Sequence, residues 1–184
     1  MKAKKKPSKT VHDRLTANQD NQAVPTPDYI LRFIEQLLGK DYFDPCPLGP
    51  SFDGLSIDWK KHTYVNPPYE NIEPWLQKAH HEISVGRCEW AIFLIPFKPQ
   101  LNFWDRSVFG RAHAVDVFSH PVGFPGYTDV IVWPMCLVHF RMDGQAGDAP
   151  SLNWLQIPGW TLAHPGKTAR QLRRSHTRNN EHLL

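Results

Sequence analysis

The chain has 184 residues and a net charge of +3, which suits a single domain with short tails. Its hydrophobic share of 41%, with seven Trp, is enough for a real core and excludes a wholly disordered polymer. No apolar run approaches the roughly 20 residues of a membrane span, and the three cysteines, Cys46, Cys88 and Cys136, are too scattered for a disulfide framework or a zinc site.

Residues 1–22 are rich in Lys, Asn, Gln and Asp, lack periodicity and read as a disordered basic tail. The lysine-rich start has no apolar segment behind it, so it does not read as a signal peptide, and a reducing, cytoplasmic setting is expected. In Val24-Pro25-Thr26-Pro27-Asp28, Thr26 is a good N-cap, Pro27 suits the first helical position, and Asp28 suits the positive helix end. Tyr29, Ile30, Phe33, Ile34, Leu37 and Leu38 then form one apolar stripe at helical spacing, and Gly39 is a natural stop.

A short strand over residues 41–44 is expected to end in Asp44 and to break at Pro45. In open α/β sheets ligands sit beyond the carboxyl ends of strands, so Asp44 is placed to meet one. Asp53-Gly54-Leu55 and Asp58-Trp59 follow, with Asp53-Gly54 equally readable as a turn.

His62-Thr63-Tyr64-Val65 is a short apolar strand that runs into Asn66-Pro67-Pro68-Tyr69. Each proline fixes its own φ near about −65°, removes a donor, and pushes the preceding residue into extended geometry. The corner offers two acceptors, the Asn66 side-chain oxygen and the Pro67 carbonyl, beside the aromatic face of Tyr69. Those parts suit an exocyclic amino group, whose lone pair is delocalised into its ring. Two acceptors on its two N–H groups favour pyramidal geometry and aim the lone pair at a methyl donor, while an aromatic ring stacks on the base. The catalysis is positioning and electrostatics, with no covalent intermediate.

Beyond the corner, Ile72, Trp75, Leu76, Ala79 and Ile83 predict a helix, with His80 and His81 read as surface residues. Trp90–Ile95 predicts a strand buried on both faces, ending at Pro96-Phe97-Lys98-Pro99. Residues 101–109 predict a short helix, 114–118 a strand, and 122–127 a turn-rich loop. Residues 129–140 predict a long strand or hairpin with Pro134 at a bulge or edge. Residues 143–150 read as a linker, and 154–162 as a small flap or added edge strand. The domain is expected over 23–163, followed by a basic, unpacked tail at 164–184. Lys2, Lys4, Lys5, Lys6, Lys9 and Arg14 crowd one end, and Lys167, Arg170, Arg173, Arg174 and Arg178 the other. Such clusters can steer a protein to nucleic acid or can simply be solvated tails.

Over about residues 24–140 the chain resembles the phage-type DNA N6-adenine methyltransferases, the Dam family of phage genomes. The resemblance rests on motifs in order: Thr26-Pro27 opening a helix, Phe43-Asp44-Pro45, Asp53-Gly54-Leu55 with Trp59, Asn66-Pro67-Pro68-Tyr69, a helix with Trp75, and an apolar strand ending in Pro96. The departure is the loop after Asp44, where three prolines intrude and Gly49 alone survives of the glycines seen in the wider amino-methyltransferase motif.

The resemblance implies an α/β, compact, Rossmann-like methyltransferase fold, with a mostly parallel sheet and a closing antiparallel hairpin. It implies transfer of a methyl group from S-adenosylmethionine (SAM) to N6 of an adenine flipped out of double-stranded DNA, with no metal. Asn66, Pro67, Pro68 and Tyr69 would be catalytic: the Asn66 side chain and Pro67 carbonyl on the amino group, Pro68 holding geometry, Tyr69 stacking on the base. Thr26, Pro27, Asp44, Pro45, Asp53 and Asp58 would serve the cofactor. Little chain is left for target recognition, so a short site, loose specificity or a second subunit in a homodimer is expected, with loops 97–108 and 119–129 facing DNA. In a phage genome the setting would be the host-cell cytoplasm, and the role protection of viral DNA, restriction-modification or regulation. The alternatives are an N-methyltransferase acting on RNA or a protein amide, and a nucleic-acid-binding homologue that no longer catalyses.

Overall fold

Helix α1 spans Asp28–Leu38 and buries Ile30, Ile34 and Leu38, one residue per turn along the predicted stripe. In the computed structural model, which describes residues 24–125, 134–143 and 149–157, its N-cap is Pro27 and not Thr26. Pro27 has φ −60° and ψ 139°, and its carbonyl accepts from the N–H groups of Ile30 at 2.9 Å and Leu31 at 3.1 Å. Thr26 is one residue too early to cap, and its hydroxyl meets the buried Tyr64 hydroxyl at 2.9 Å instead. Gly39, at φ 87°, ends the helix where expected, a conformation that costs glycine little.

The remaining elements are β1 (His62–Val65), α2 (Glu73–Ser84), β2 (Trp90–Pro96), α3 (Asn102–Ser107), β3 (Ala114–Phe118), β4 (Met135–Arg141) and β5 (Ser151–Leu155). They make a mixed α/β protein with one five-stranded sheet in the order β1-β2-β4-β3-β5. β1 pairs with β2, and β3 with β5, in parallel; β4 is antiparallel to both β2 and β3. Four strands therefore run one way, and β4 alone is reversed.

Three expectations change here. The strand over 41–44 shrinks to one parallel bridge, Phe43 with Thr63, because the prolines after Asp44 cannot continue a ladder. β4 is described from Met135, directly after Pro134, whose carbonyl accepts from Phe97 N–H at 2.8 Å; the earlier part of the expected strand, 129–133, lies outside the described residues. With β3, β4 forms the expected antiparallel pair, but the pair lies inside the sheet, with β2 on the other side of β4, which is why Met135–Phe140 is buried without a break. The edge strand at the other end is β5, which starts at Ser151, ahead of the expected Trp154. The tails 1–22 and 164–184, residues 129–133 and Trp160 lie outside the described residues.

Both faces of the sheet are covered. Ile92, Leu94, Met135, Leu137 and Tyr64 pack with the α1 stripe. Ala91, Phe93, Ile95, Val115, Val117, Cys136 and Val138 pack on the opposite face with Trp75, Leu76, Ala79 and Trp104. β2 is buried on both faces, as its unbroken apolar run predicts. His80 is not a surface residue: its Nε2 lies 2.8 Å from the Ser107 carbonyl, its ring sits edge-on to Phe140, and burial lowers its pKa. Among the described residues no helix is long and apolar enough to cross a membrane.

The chain directions bring several strand ends to one edge. His62 Nδ1 lies 2.8 Å from the Leu38 carbonyl, so the end of α1 meets the start of β1, and the start of α1 lies by the end of β1. The carboxyl ends of β1, β2 and β3 and the start of β4 share that edge.

Candidate active site

Asn66 is the first residue beyond β1 and is only 6% exposed. A buried amide needs partners for its oxygen and for both N–H groups. Asn66 Nδ2 donates to the Val24 carbonyl at 2.7 Å and to Thr26 Oγ1 at 3.2 Å. Asn66 Oδ1 accepts from the Tyr69 hydroxyl at 2.9 Å. The acceptor expected for a substrate amine is thus present, but in this state a phenol occupies it.

The rest of the corner is a rigid turn. Pro67 is buried, and the Pro68 carbonyl accepts from Asn71 N–H at 3.0 Å just before α2. No backbone group among the described residues donates to the Pro67 carbonyl. Tyr69 is half-buried, with its ring edge-on to Phe124 at a centroid distance of 6.4 Å, and burial pushes its phenol well above the ordinary range. Tyr69 is therefore a neutral hydroxyl donor. The loop after β3 borders the corner through Phe124. In the other loop expected to face DNA, 97–108, Trp104 is fully buried against Phe97, while 99–102, Asp105 and Arg106 are exposed.

Asp44 joins this group through strand register. The Phe43–Thr63 bridge sets Asp44 beside Tyr64, and Asp44 Oδ1 accepts from Cys46 N–H at 2.8 Å. Burial pushes its carboxyl up to about 6, against the pull of that hydrogen bond, and pushes the Cys46 thiol up to about 12. Pro27 and Pro45 are buried at the starts of their segments. Thr26, Pro27, Asp44 and Pro45 thus flank the Asn66 corner.

Asp53 and Asp58 stand differently. Asp53 turns both carboxylate oxygens onto its own loop, to Leu55 N–H at 3.0 Å and to the Ser56 hydroxyl, which is the turn reading. Its neighbour Gly54 packs on Pro45: a Cβ there would lie 1.9 Å from the Pro45 carbonyl oxygen. Asp58 is 75% exposed and pairs with Arg87 at 3.4 Å. Arg87 follows α2 and precedes β2, so Asp58 sits at the opposite end of the sheet from Asn66. Among the described residues no cluster of His, Cys, Asp or Glu could hold a metal ion.

Sequence reasoning missed one partner of Asn66, the Val24 carbonyl, and one of Thr26, the Tyr64 hydroxyl. The Val24 carbonyl carries no sequence signal, since every residue has one. Tyr64 read only as a strand residue, although its place two before Asn66 on an alternating strand sets both on one side. Comparison with family models, curated proteins and solved structures finds no match in any of the three.

Asp44 gives a test of this geometry. A carboxyl whose pKa rises from 3.8 to about 6 on folding stabilises the fold while neutral, fully below pH 3.8, and loses that contribution as pH rises through about 6. Asp44→Asn keeps an acceptor for Cys46 without the charge. It is expected to raise stability at pH 7 by about 1–2 kcal/mol. Thermal melts across pH 3 to 8 would check this; identical profiles for both proteins would mean that Asp44 is solvated.

Proposed function

We propose that this chain is a SAM-dependent DNA methyltransferase acting on the N6 amino group of adenine, with a compact Rossmann-like methyltransferase fold. The observation that carries the reading is the Asn66 amide, pinned through its nitrogen so that Oδ1 serves as an acceptor at the carboxyl edge of the sheet. The mostly parallel sheet with a reversed β4 paired to β3 is consistent with such a fold.

The mechanism follows from the chain's own groups. A flipped adenine brings its amino group to Asn66 Oδ1, and the Tyr69 hydroxyl gives up that place. The Pro67 carbonyl takes the second N–H. Tyr69, released, offers its ring face to the base. So held, the amine would present its lone pair to the cofactor's methyl group, with the cofactor's thioether as leaving group, and would then lose one proton to solvent. Asp44 would hold the cationic ammonium of the cofactor's methionine part or its ribose hydroxyls. Ionising Asp44 costs stability in the empty fold, and a bound cation offsets that cost. The cofactor supplies the methyl group. The Thr26 backbone, Pro27 and Pro45 would line its place; Asp53 is left out because its carboxylate bonds its own loop, and Asp58 because it pairs with Arg87 at the far end of the sheet.

A second reading, a binding module without catalysis, is favoured by one observation: the Tyr69 hydroxyl already satisfies Asn66 Oδ1. The deciding experiment is mass spectrometry of nucleosides from double-stranded DNA incubated with the protein and SAM. N6-methyladenine is the expected product. If folded protein makes none on several DNA substrates, RNA and protein amides become the substrates to try, and failure to bind SAM would select the binding module.

A further inference from the structure

We infer that Thr26 is a positioning residue that sets the plane of the Asn66 amide, with Tyr64 holding Thr26 in place. The kinetic part of this inference rests on the methyltransferase reading; the geometric part does not.

The argument starts from a group with one role. The Val24 carbonyl can only accept, so the Asn66 atom 2.7 Å from it must be the nitrogen. That fixes which end of the amide faces inward and puts Oδ1 on the side of Tyr69. One hydrogen bond does not fix a plane, however. The last torsion of Asn is broad, so an amide tied at one N–H still rocks about its Cβ–Cγ bond. The second N–H, on Thr26 Oγ1 at 3.2 Å, supplies the second point of attachment. Two bonds from one planar NH₂ group define the plane, and with it the direction of the Oδ1 lone pairs.

Thr26 is itself held. Its hydroxyl lies 2.9 Å from that of Tyr64, a fully buried side chain set between α1 and the sheet, with its ring edge-on to Tyr42 at 5.9 Å. Either hydroxyl donates, and in both cases a lone pair of Thr26 Oγ1 remains for Asn66. Thr26 is also the second residue before α1, and Pro27 fixes the backbone that follows it. The start of α1 is thereby coupled to the acceptor at the end of β1. This assigns the Thr26 hydroxyl to the amine-aiming group, where the family resemblance assigns it to the cofactor.

The test compares Thr26→Val, Thr26→Ser and Tyr64→Phe in the full-length protein. Thr26→Val is expected to lower kcat by about 10- to 100-fold, the range for a misaimed reacting group. The dissociation constant for SAM should stay within about twofold, well under the 1.4 kcal/mol of a tenfold change. Thr26→Ser, which keeps the hydroxyl, is expected to restore kcat. A merely structural role would not give that split. Weakened SAM binding with unchanged kcat would overturn the inference and return Thr26 to the cofactor. The second arm is independent of activity: ¹⁵N NMR of the Asn66 side-chain NH₂, assigned by its loss in Asn66→Ala. In Thr26→Val one of the two protons should lose its hydrogen-bonded shift and exchange faster, while the proton on Val24 stays protected. Tyr64→Phe should do so partially, and serves if Thr26→Val fails to fold. Two protons unchanged in every variant would sink the inference, whether or not the protein methylates DNA.

Discussion

Replacing Asn66 by Ala is expected to lower methyl transfer by about 10²–10³-fold or more, the scale seen when one preorganised polar group is removed from a reacting centre. The variant removes the acceptor for the substrate amine and leaves the Pro67 carbonyl alone to orient it. It also costs the fold something, since the Val24 carbonyl loses its donor and the Tyr69 hydroxyl its acceptor. Both neighbours lie at the sheet edge, so a loss of about 1–2 kcal/mol is expected rather than unfolding. SAM affinity should survive, because Asp44 and Pro27 do not depend on the Asn66 amide. Asn66→Asp is the sharper control. It keeps an oxygen toward Tyr69 but places a second oxygen 2.7 Å from the Val24 carbonyl, where only a donor fits. The carboxyl must therefore hold a proton there or swing away, and transfer should fall with it. Single-turnover methylation together with equilibrium SAM binding separates these effects. Undiminished transfer by Asn66→Ala would remove Asn66 from the mechanism.

What the sequence disclosed followed from periodicity and from proline. α1, α2 and β2 were readable because burial imposes a repeat on apolar residues, and the Asn66 corner because two prolines stiffen whatever precedes them. Long-range partners were not readable. Thr26 has every local mark of an N-cap, yet Tyr64, 38 residues away, holds its hydroxyl. Asp58 precedes β1 closely in sequence but lies at the far end of that strand from Asn66, because the chain must travel the length of β1 to reach Asn66. β3 and β4 pair antiparallel as expected, but their place inside the sheet was not readable, since nothing in a run of apolar residues tells which two strands will flank it. The α2 stripe gave the hardest case. Ile83 fits its spacing, but the structure leaves Ile83 half-buried and buries Glu82 completely. An acid on a buried face contradicts the pattern until its donors are known.

Those donors make Glu82 the position with the largest expected effect on stability. Its carboxylate accepts from Arg87 Nε at 2.6 Å and Nη2 at 2.9 Å, from Lys78 at 2.8 Å across one helical turn, and from the Trp59 backbone N–H at 3.1 Å. The Arg87 bonds above all hold its carboxyl down at about 2, against the opposing effect of burial. Glu82→Ala leaves Lys78 and Arg87 without their shared counter-charge and Trp59 without an acceptor. Arg87 stays within reach of water and Asp58, so the expected loss is about 3 kcal/mol, the low end for a broken buried pair, or roughly 6–12 °C in Tm for a chain of this size.

The pH dependence identifies the cause. Glu82 has a depressed folded pKa, so its contribution is full above pH 4.5 and is lost as pH falls toward about 2. The stability gap between wild type and Glu82→Gln should therefore close over that window, and a gap that persisted at pH 2.5 would assign the effect to packing instead. The consequence reaches the site through Trp59, whose Nε1 donates to the Gly54 carbonyl at 2.8 Å while Gly54 packs directly on Pro45. Loss of Glu82 should thus loosen the loop that supports Asp44 and weaken SAM binding, while methyl transfer at saturating SAM stays close to wild type. A fall in that saturated rate would show that the Glu82 network also supports the Asn66 corner, which none of its contacts touches.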